Sequence, residues 1–324
     1  MKKIVSVLLC AVIGLMSMSG CGKKEKDERL HIVCTIFPEY DWTMQIIGEN
    51  PGAAEVTMLL DNGVDLHSYQ PSMDDIMKIS DCDVFIYVGG ESDKWVTDAL
   101  AQAKNDDMIV VKLMDVLQDR LKEEEAVEGM QIHDDHDDHD DHETENDEHV
   151  WLSVRNAAAS CDAITEALVK ADSANADVYK KNSESYKKKL LQLDDEYKAA
   201  VSASEIKTIL VGDRFPFRYL VDDYGIDYYA AFSGCSAETD ASFDTIIFLA
   251  KKVDELGLEY ILKTETSDDS VVNTIKNNTK SKNQQILTLD SMQSTTSSDI
   301  KEGISYLSVM KKNCEVLKQV LKNK

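Results

Sequence analysis

Residues 56–89 read VTMLLDNGVDLHSYQPSMDDIMKISDCDVFIYVG, a stretch in which two short apolar runs, Glu55 to Leu60 and Asp83 to Val88, flank a loop and a longer segment. Runs rich in Val, Ile and Tyr that alternate with helical stretches are the unit of an α/β fold. Outward from this stretch the same kind of run recurs at His31 to Phe37 and Met108 to Leu113, and then at Ile206 to Val211, Ile226 to Ala231, Glu259 to Thr264 and Ile286 to Leu289. Four runs in each half predict two similar α/β lobes.

Between the halves, no Pro or Gly occurs from Asn156 to Ser204. Tyr179, Tyr186, Leu190, Leu193 and Tyr197 share one face of a helix, and a helix from about Asn175 to Val201 would be ~40 Å long, a rigid strut between lobes. The expected organisation is a leader over 1–20, a tether over 21–29, a first lobe over 30–170, the linking helix over 171–204 and a second lobe over 205–324. Glu123 to Glu148 stands apart, with HDDHDDHDDH placing His133, His136, His139 and His142 in steps of three. So much like charge and so little apolar surface predict a disordered insertion over 123–148.

Of the 324 residues, 60 are Asp or Glu and 35 Lys or Arg, for a net charge of −25. That field repels phosphate backbones, which argues against nucleic acid, and it favours a cationic ligand. Lys2 and Lys3 precede an apolar run, Ile4 to Met16, too short to span a bilayer and suited to a secretion signal. Met18-Ser-Gly-Cys21 resembles the bacterial lipobox, which implies that Cys21 is lipidated and that the protein is extracytoplasmic and anchored to the cell membrane. Cys34, Cys82, Cys161, Cys235 and Cys314 are scattered and odd in number, so a disulfide framework is not expected.

His67 follows the strand ending at Leu60, where ligands of open α/β sheets collect. His149 lies in Glu148-His-Val-Trp151. Imidazole beside carboxylate suits borderline divalent metals, and the His/Asp tract could gather such ions loosely. IVCTIFPEYDWTMQIIG, the 56–89 stretch with Trp95 soon after, the His-rich loop, EHVWLSVRNAA and DVYKKNSESYKKKLLQL occur in that order. Together they resemble the zinc- and manganese-binding receptors of bacterial ABC importers. The resemblance implies two α/β lobes on a backbone helix, one metal in the cleft between them, and His67 and His149 as its first-lobe ligands.

The second lobe departs from that pattern. Many members carry a histidine or glutamate five residues before an aromatic in a segment followed by Tyr-Gly, whereas here, in Val211-Gly-Asp-Arg-Phe-Pro-Phe-Arg-Tyr219, counting back from Tyr219 gives Arg214, which cannot ligate, and from Phe217 gives Gly212. No histidine follows His149. Asp213 is the nearest candidate, with Cys235 and Glu238 as alternatives, and Glu265 matches the family's second-lobe carboxylate. The expected cargo is Zn²⁺, with Mn²⁺ as the alternative, because manganese gains less from imidazole. The expected partner is an ABC permease, and the protein is expected to act as a monomeric receptor and not an enzyme. A secreted metallohydrolase would need a motif such as H-E-x-x-H or G-x-S-x-G, and neither is present. A surface adhesin is the third reading.

Overall fold

The computed structural model describes residues 29–48, 54–131, 145–236 and 240–321. Cys21 and the leader, His133, His136, His139, His142 and Glu238 lie outside the described residues. The first lobe runs β1 (Leu30–Cys34), α1 (Phe37–Ile47), β2 (Ala54–Met58), α2 (Met73–Asp81), β3 (Val84–Tyr87), α3 (Val96–Leu100), β4 (Ile109–Lys112) and α4 (Leu113–Val116). Helices α5 (Val154–Ala171) and α6 (Ala176–Ser202) follow. The second lobe holds β5 (Thr208–Phe215), α7 (Arg218–Tyr224), β6 (Asp227–Ser233), α8 (Phe243–Leu256), β7 (Tyr260–Thr264), α9 (Ser270–Asn278), β8 (Gln285–Leu289), α10 (Ser297–Lys301) and α11 (Tyr306–Val320).

Each lobe contains a four-stranded sheet, ordered β2-β1-β3-β4 and β6-β5-β7-β8, and every pairing is parallel. Parallel strands covered on both faces are apolar throughout, as Val84, Phe85 and Ile86 are, all fully buried. In each lobe the chain steps one way from its first strand and then the other. That reversal opens a crevice beyond the carboxyl ends of the strands.

Helix α6 is 27 residues long and buries Tyr179, Tyr186, Leu190, Leu193 and Tyr197. Its face meets both lobes. Tyr186 donates to Asp41 of α1 at 3.1 Å, and Tyr197 donates to the carbonyl of Met310 in α11 at 2.6 Å. Arg155 of α5 binds Asp194 of α6 at 3.0 Å and Asp223 of α7 at 3.4 Å. One apolar core continues from the first lobe through this strut into the facing side of the second lobe, and a smaller cluster around Leu210, Phe232 and Leu249 fills the outer second lobe. All five cysteines among the described residues are free, four of them buried. Among the described residues no helix is long and apolar enough to cross a membrane.

Two segments differ from the sequence expectation. Strand β5 does not stop at Val211 but runs to Phe215, with a register shift between Val211 and Arg214. Asp213 therefore sits within an irregular strand and not in a loop beyond its end. Phe215 explains the extension, since it stacks on Tyr228 of the neighbouring strand at 3.8 Å between ring centres. The second difference is that 123–131 and 145–148, assigned to the disordered insertion, are ordered. Glu123 pairs with Asn146 and Gln131 with Phe232, while the Glu124 amide donates to Glu145 and the Asp147 amide to Lys122. Backbone pairing pins both flanks whatever charge their side chains carry.

Asp41 joins α1, α6 and α11, because it also accepts from the Tyr306 amide at 3.3 Å. Burial pushes its carboxyl up to about 6, against the bonds from Tyr186 and Tyr306 that favour the anion. A folded-state pKa above the unfolded value means that the native state holds the extra proton, so stability falls as pH rises from about 4 to 6. Asp41→Asn should flatten that part of the metal-free protein's stability profile by up to about 3 kcal/mol. Urea unfolding between pH 4 and 7 measures it, and an unchanged slope would contradict the assignment.

Candidate metal centre

His67 lies in a tight turn, Leu66–Ser68, which Asp65 caps by accepting the His67 amide at 2.9 Å. His149 opens a second turn, Val150–Leu152, and is wholly buried. The two rings meet with His67 Nε2 3.1 Å from His149 Nε2.

The other ring nitrogens are already committed. His149 Nδ1 is 3.0 Å from Asp147 Oδ1, which also accepts the His149 amide at 2.8 Å. His67 Nδ1 is 2.8 Å from Ser92 Oγ, and Ser92 gives its only hydroxyl proton to Glu148 Oε1 at 2.7 Å. Ser92 must then accept from His67, so both Nδ1 atoms donate and both Nε2 atoms turn into the same space. There they are held together only by a cation between them, a proton shared as a hydrogen bond or a metal ion in its place. In tetrahedral zinc coordination two imidazole nitrogens sit about 3.3 Å apart, close to the spacing found.

The surroundings supply negative charge. Burial raises the Glu148 carboxyl, yet bonds from His67 and Ser92 outweigh that and hold it below its usual value. Burial disfavours charging His149, but Asp147 first, then Glu148 and Asp65, outweigh it and raise the imidazole. Each effect favours a positive charge at the rings. Asp147 and Glu148 are almost fully buried.

The second lobe approaches through β6. Cys235, two residues past the end of that strand, brings its Sγ into a group with one nitrogen each of His67 and His149, all within 4.8 Å of one another. Sγ is 3.8 Å from Glu148 Oε1, and the Cys235 amide donates to Glu124 at 3.3 Å. Burial, reinforced by Glu124, Glu148 and Asp147, pushes the thiol up. Asp213 and Glu265 are not in this group. Asp213 Oδ2 accepts from the Thr264 amide at 3.2 Å and its hydroxyl at 2.5 Å, tying β5 to β7. Glu265 accepts from the Ser291 amide and hydroxyl, each at 2.8 Å, and from the Gln293 amide at 3.2 Å. Burial and the neighbouring Asp290 charge push its carboxyl up to about 7. Arg214 reaches across the cleft and binds Asp65 at 2.8 Å, bracing the turn that carries His67.

Ser92, Asp147 and Glu148 were not singled out from the sequence. The adjacency of two acids to His149 was visible, but they closed an acidic run and nothing local marked them as buried. Other bonds fix the His149 segment to the second lobe: Tyr219 donates to the Asp147 carbonyl at 2.7 Å, Trp151 to Ser291 at 2.9 Å and Tyr306 to Trp151 at 2.7 Å.

Comparison with known proteins adds to this geometry. Residues 32–320 match the family model described as zinc-uptake complex component A, periplasmic. The zinc-binding lipoprotein AdcA of Streptococcus pneumoniae is 32% identical over 98% of this chain and 61% of its own length, so the chain spans about three fifths of that relative. The high-affinity zinc uptake system protein ZnuA of Bacillus subtilis is 28% identical over 97% of this chain and 94% of its own length. The crystal structure of the Zn(II)-bound ZnuA-like domain of the pneumococcal AdcA superposes with a TM-score of 0.70 at 27% identity, covering 91% of this chain and all of that one.

Since Asp147 fixes the tautomer and orientation of His149, Asp147→Ala should weaken zinc binding by about 10- to 100-fold. Asp147→Asn keeps an acceptor and should lose less. Competition against a chromophoric chelator measures both, and parental affinity in the alanine variant would contradict the role.

Proposed function

The chain belongs to the zinc-uptake complex component A family, and on that premise we propose that it is an extracytoplasmic receptor that captures one divalent cation in the cleft and delivers it to the permease of an ABC importer. The observation that carries this reading is the pair of Nε2 atoms 3.1 Å apart with both Nδ1 atoms hydrogen-bonded to other residues. Such a pair, set among carboxylates, binds a cation that can accept two imidazoles. Zinc fits that description better than manganese, which prefers oxygen.

In this reading His67 and His149 anchor the ion from the first lobe, and a second-lobe donor completes the cage. The continuous core through α6 favours a small tilt between lobes over a wide hinge. The tract holding His133, His136, His139 and His142 gathers zinc weakly, a reading that rests on its composition of imidazoles beside carboxylates. Cys21 carries the lipid that keeps the receptor beside its permease.

His67→Ala and His149→Ala should each weaken zinc binding by two or more orders of magnitude, roughly the loss of one of the few bonds of a tetrahedral site, with the fold retained by circular dichroism. Unchanged affinity in both would overturn the site. Excising 134–142 should remove weak equivalents of zinc in a calorimetric titration and leave one tight equivalent. Loss of the tight equivalent with the loop would place the main site there instead.

A further inference from the structure

We propose that the Sγ of Cys235 is the second-lobe donor to the bound ion, and that this thiolate makes the site select borderline and soft divalent cations, zinc foremost, over manganese. The inference rests on the receptor reading above and names the group that decides which metal the receptor takes.

Three independent features support it. The first is position, since Sγ and one nitrogen of each histidine lie within 4.8 Å of one another. A tetrahedral zinc ion with two imidazoles and a thiolate needs sulfur-to-nitrogen spacings of about 3.6 Å, so the group needs to contract by little more than 1 Å. Cys235 lies just beyond the carboxyl end of β6, facing two histidines held by the first lobe. A bond to Sγ would therefore link the two lobes through the ion.

The second feature is the residue before it. A β-carbon at Gly234 would stand 2.9 Å from the Phe215 carbonyl and 3.0 Å from Cε1 of His149. Only a residue without one lets this turn press against the imidazole and set Cys235 beside it.

The third is that the competing donors are occupied. Asp213 is paired with Thr264, and Glu265 with Ser291 and Gln293. Freeing either carboxylate would strip bonds from the ends of β7 and β8, whereas the thiol of Cys235 only has to leave Glu148, 3.8 Å away. The other four described cysteines are buried, and Cys235 alone is partly exposed.

The step balances simply. As the Sγ–metal bond forms, the S–H bond breaks and its proton leaves to solvent, with no change of oxidation state. Thiolate sulfur favours zinc, cobalt and cadmium, and gives manganese little.

Cobalt tests the assignment directly, because a cobalt–thiolate bond produces a near-ultraviolet charge-transfer band that nitrogen and oxygen ligands do not. The full chain titrated with Co²⁺ should show that band, saturating at one equivalent and discharged by Zn²⁺. Cys235→Ser should abolish the band and weaken zinc binding by roughly tenfold or more, and Cys235→Asp, which substitutes a hard donor, should narrow the zinc-over-manganese preference by roughly tenfold. Cobalt bound tightly without the band would overturn the proposal, as would a Cys235→Ser protein that keeps the parent's affinity while Glu265→Ala loses it. Those results leave the receptor reading intact. A parent chain that binds neither zinc nor cobalt would instead overturn that reading, and the proposal with it.

Discussion

The organisation of the cleft depends on one contact, the approach of two imidazole nitrogens to 3.1 Å across the first lobe. Two neutral rings in these tautomers would separate, and neither can turn, since Asp147 holds one Nδ1 and the Ser92–Glu148 pair holds the other. The protein thus keeps two Nε2 atoms facing one another around a positive charge, a proton or a metal ion, which the three surrounding acids Asp65, Asp147 and Glu148 favour. Pre-organisation of this kind favours binding, because neither histidine has to be gathered when an ion arrives.

The scaffold maintains that arrangement from both sides. His67 depends on a turn capped by Asp65, and Asp65 is gripped from the other lobe by Arg214. His149 depends on a segment whose carbonyls accept from Tyr219 and Tyr306 of the second lobe and whose Trp151 side chain donates to the Ser291 carbonyl. Each first-lobe histidine therefore responds to where the second lobe sits. A displacement of the lobes about α6 would loosen the Arg214–Asp65 pair and the Tyr219 bond together, so lobe movement would reach the supports of both histidines.

Much of the fold was legible in the sequence because parallel strands write themselves as unbroken apolar runs. All eight strands fall on the expected stretches, and the helical face of Tyr179, Tyr186, Leu190, Leu193 and Tyr197 marked α6. The limit of β5 was misjudged because Gly212, Asp213 and Arg214 look like loop, and only the stacking of Phe215 on Tyr228 shows why the strand continues. At the site, His67 and His149 were recognisable from their segments. Their partners were not, since the Ser92–Glu148 bond joins residues 56 apart and sequence carries no mark of that pairing. Arg214 is the instructive case, for a side chain that cannot ligate a metal reaches into the cleft and braces its opposite wall through Asp65.

The most direct test of the account is anomalous diffraction at the zinc edge from crystals of the metal-loaded protein. A single strong peak bonded to Nε2 of both His67 and His149, at about 2.0 to 2.1 Å from each, is the predicted result. A strong peak elsewhere, or one touching only one of the two rings, would contradict it.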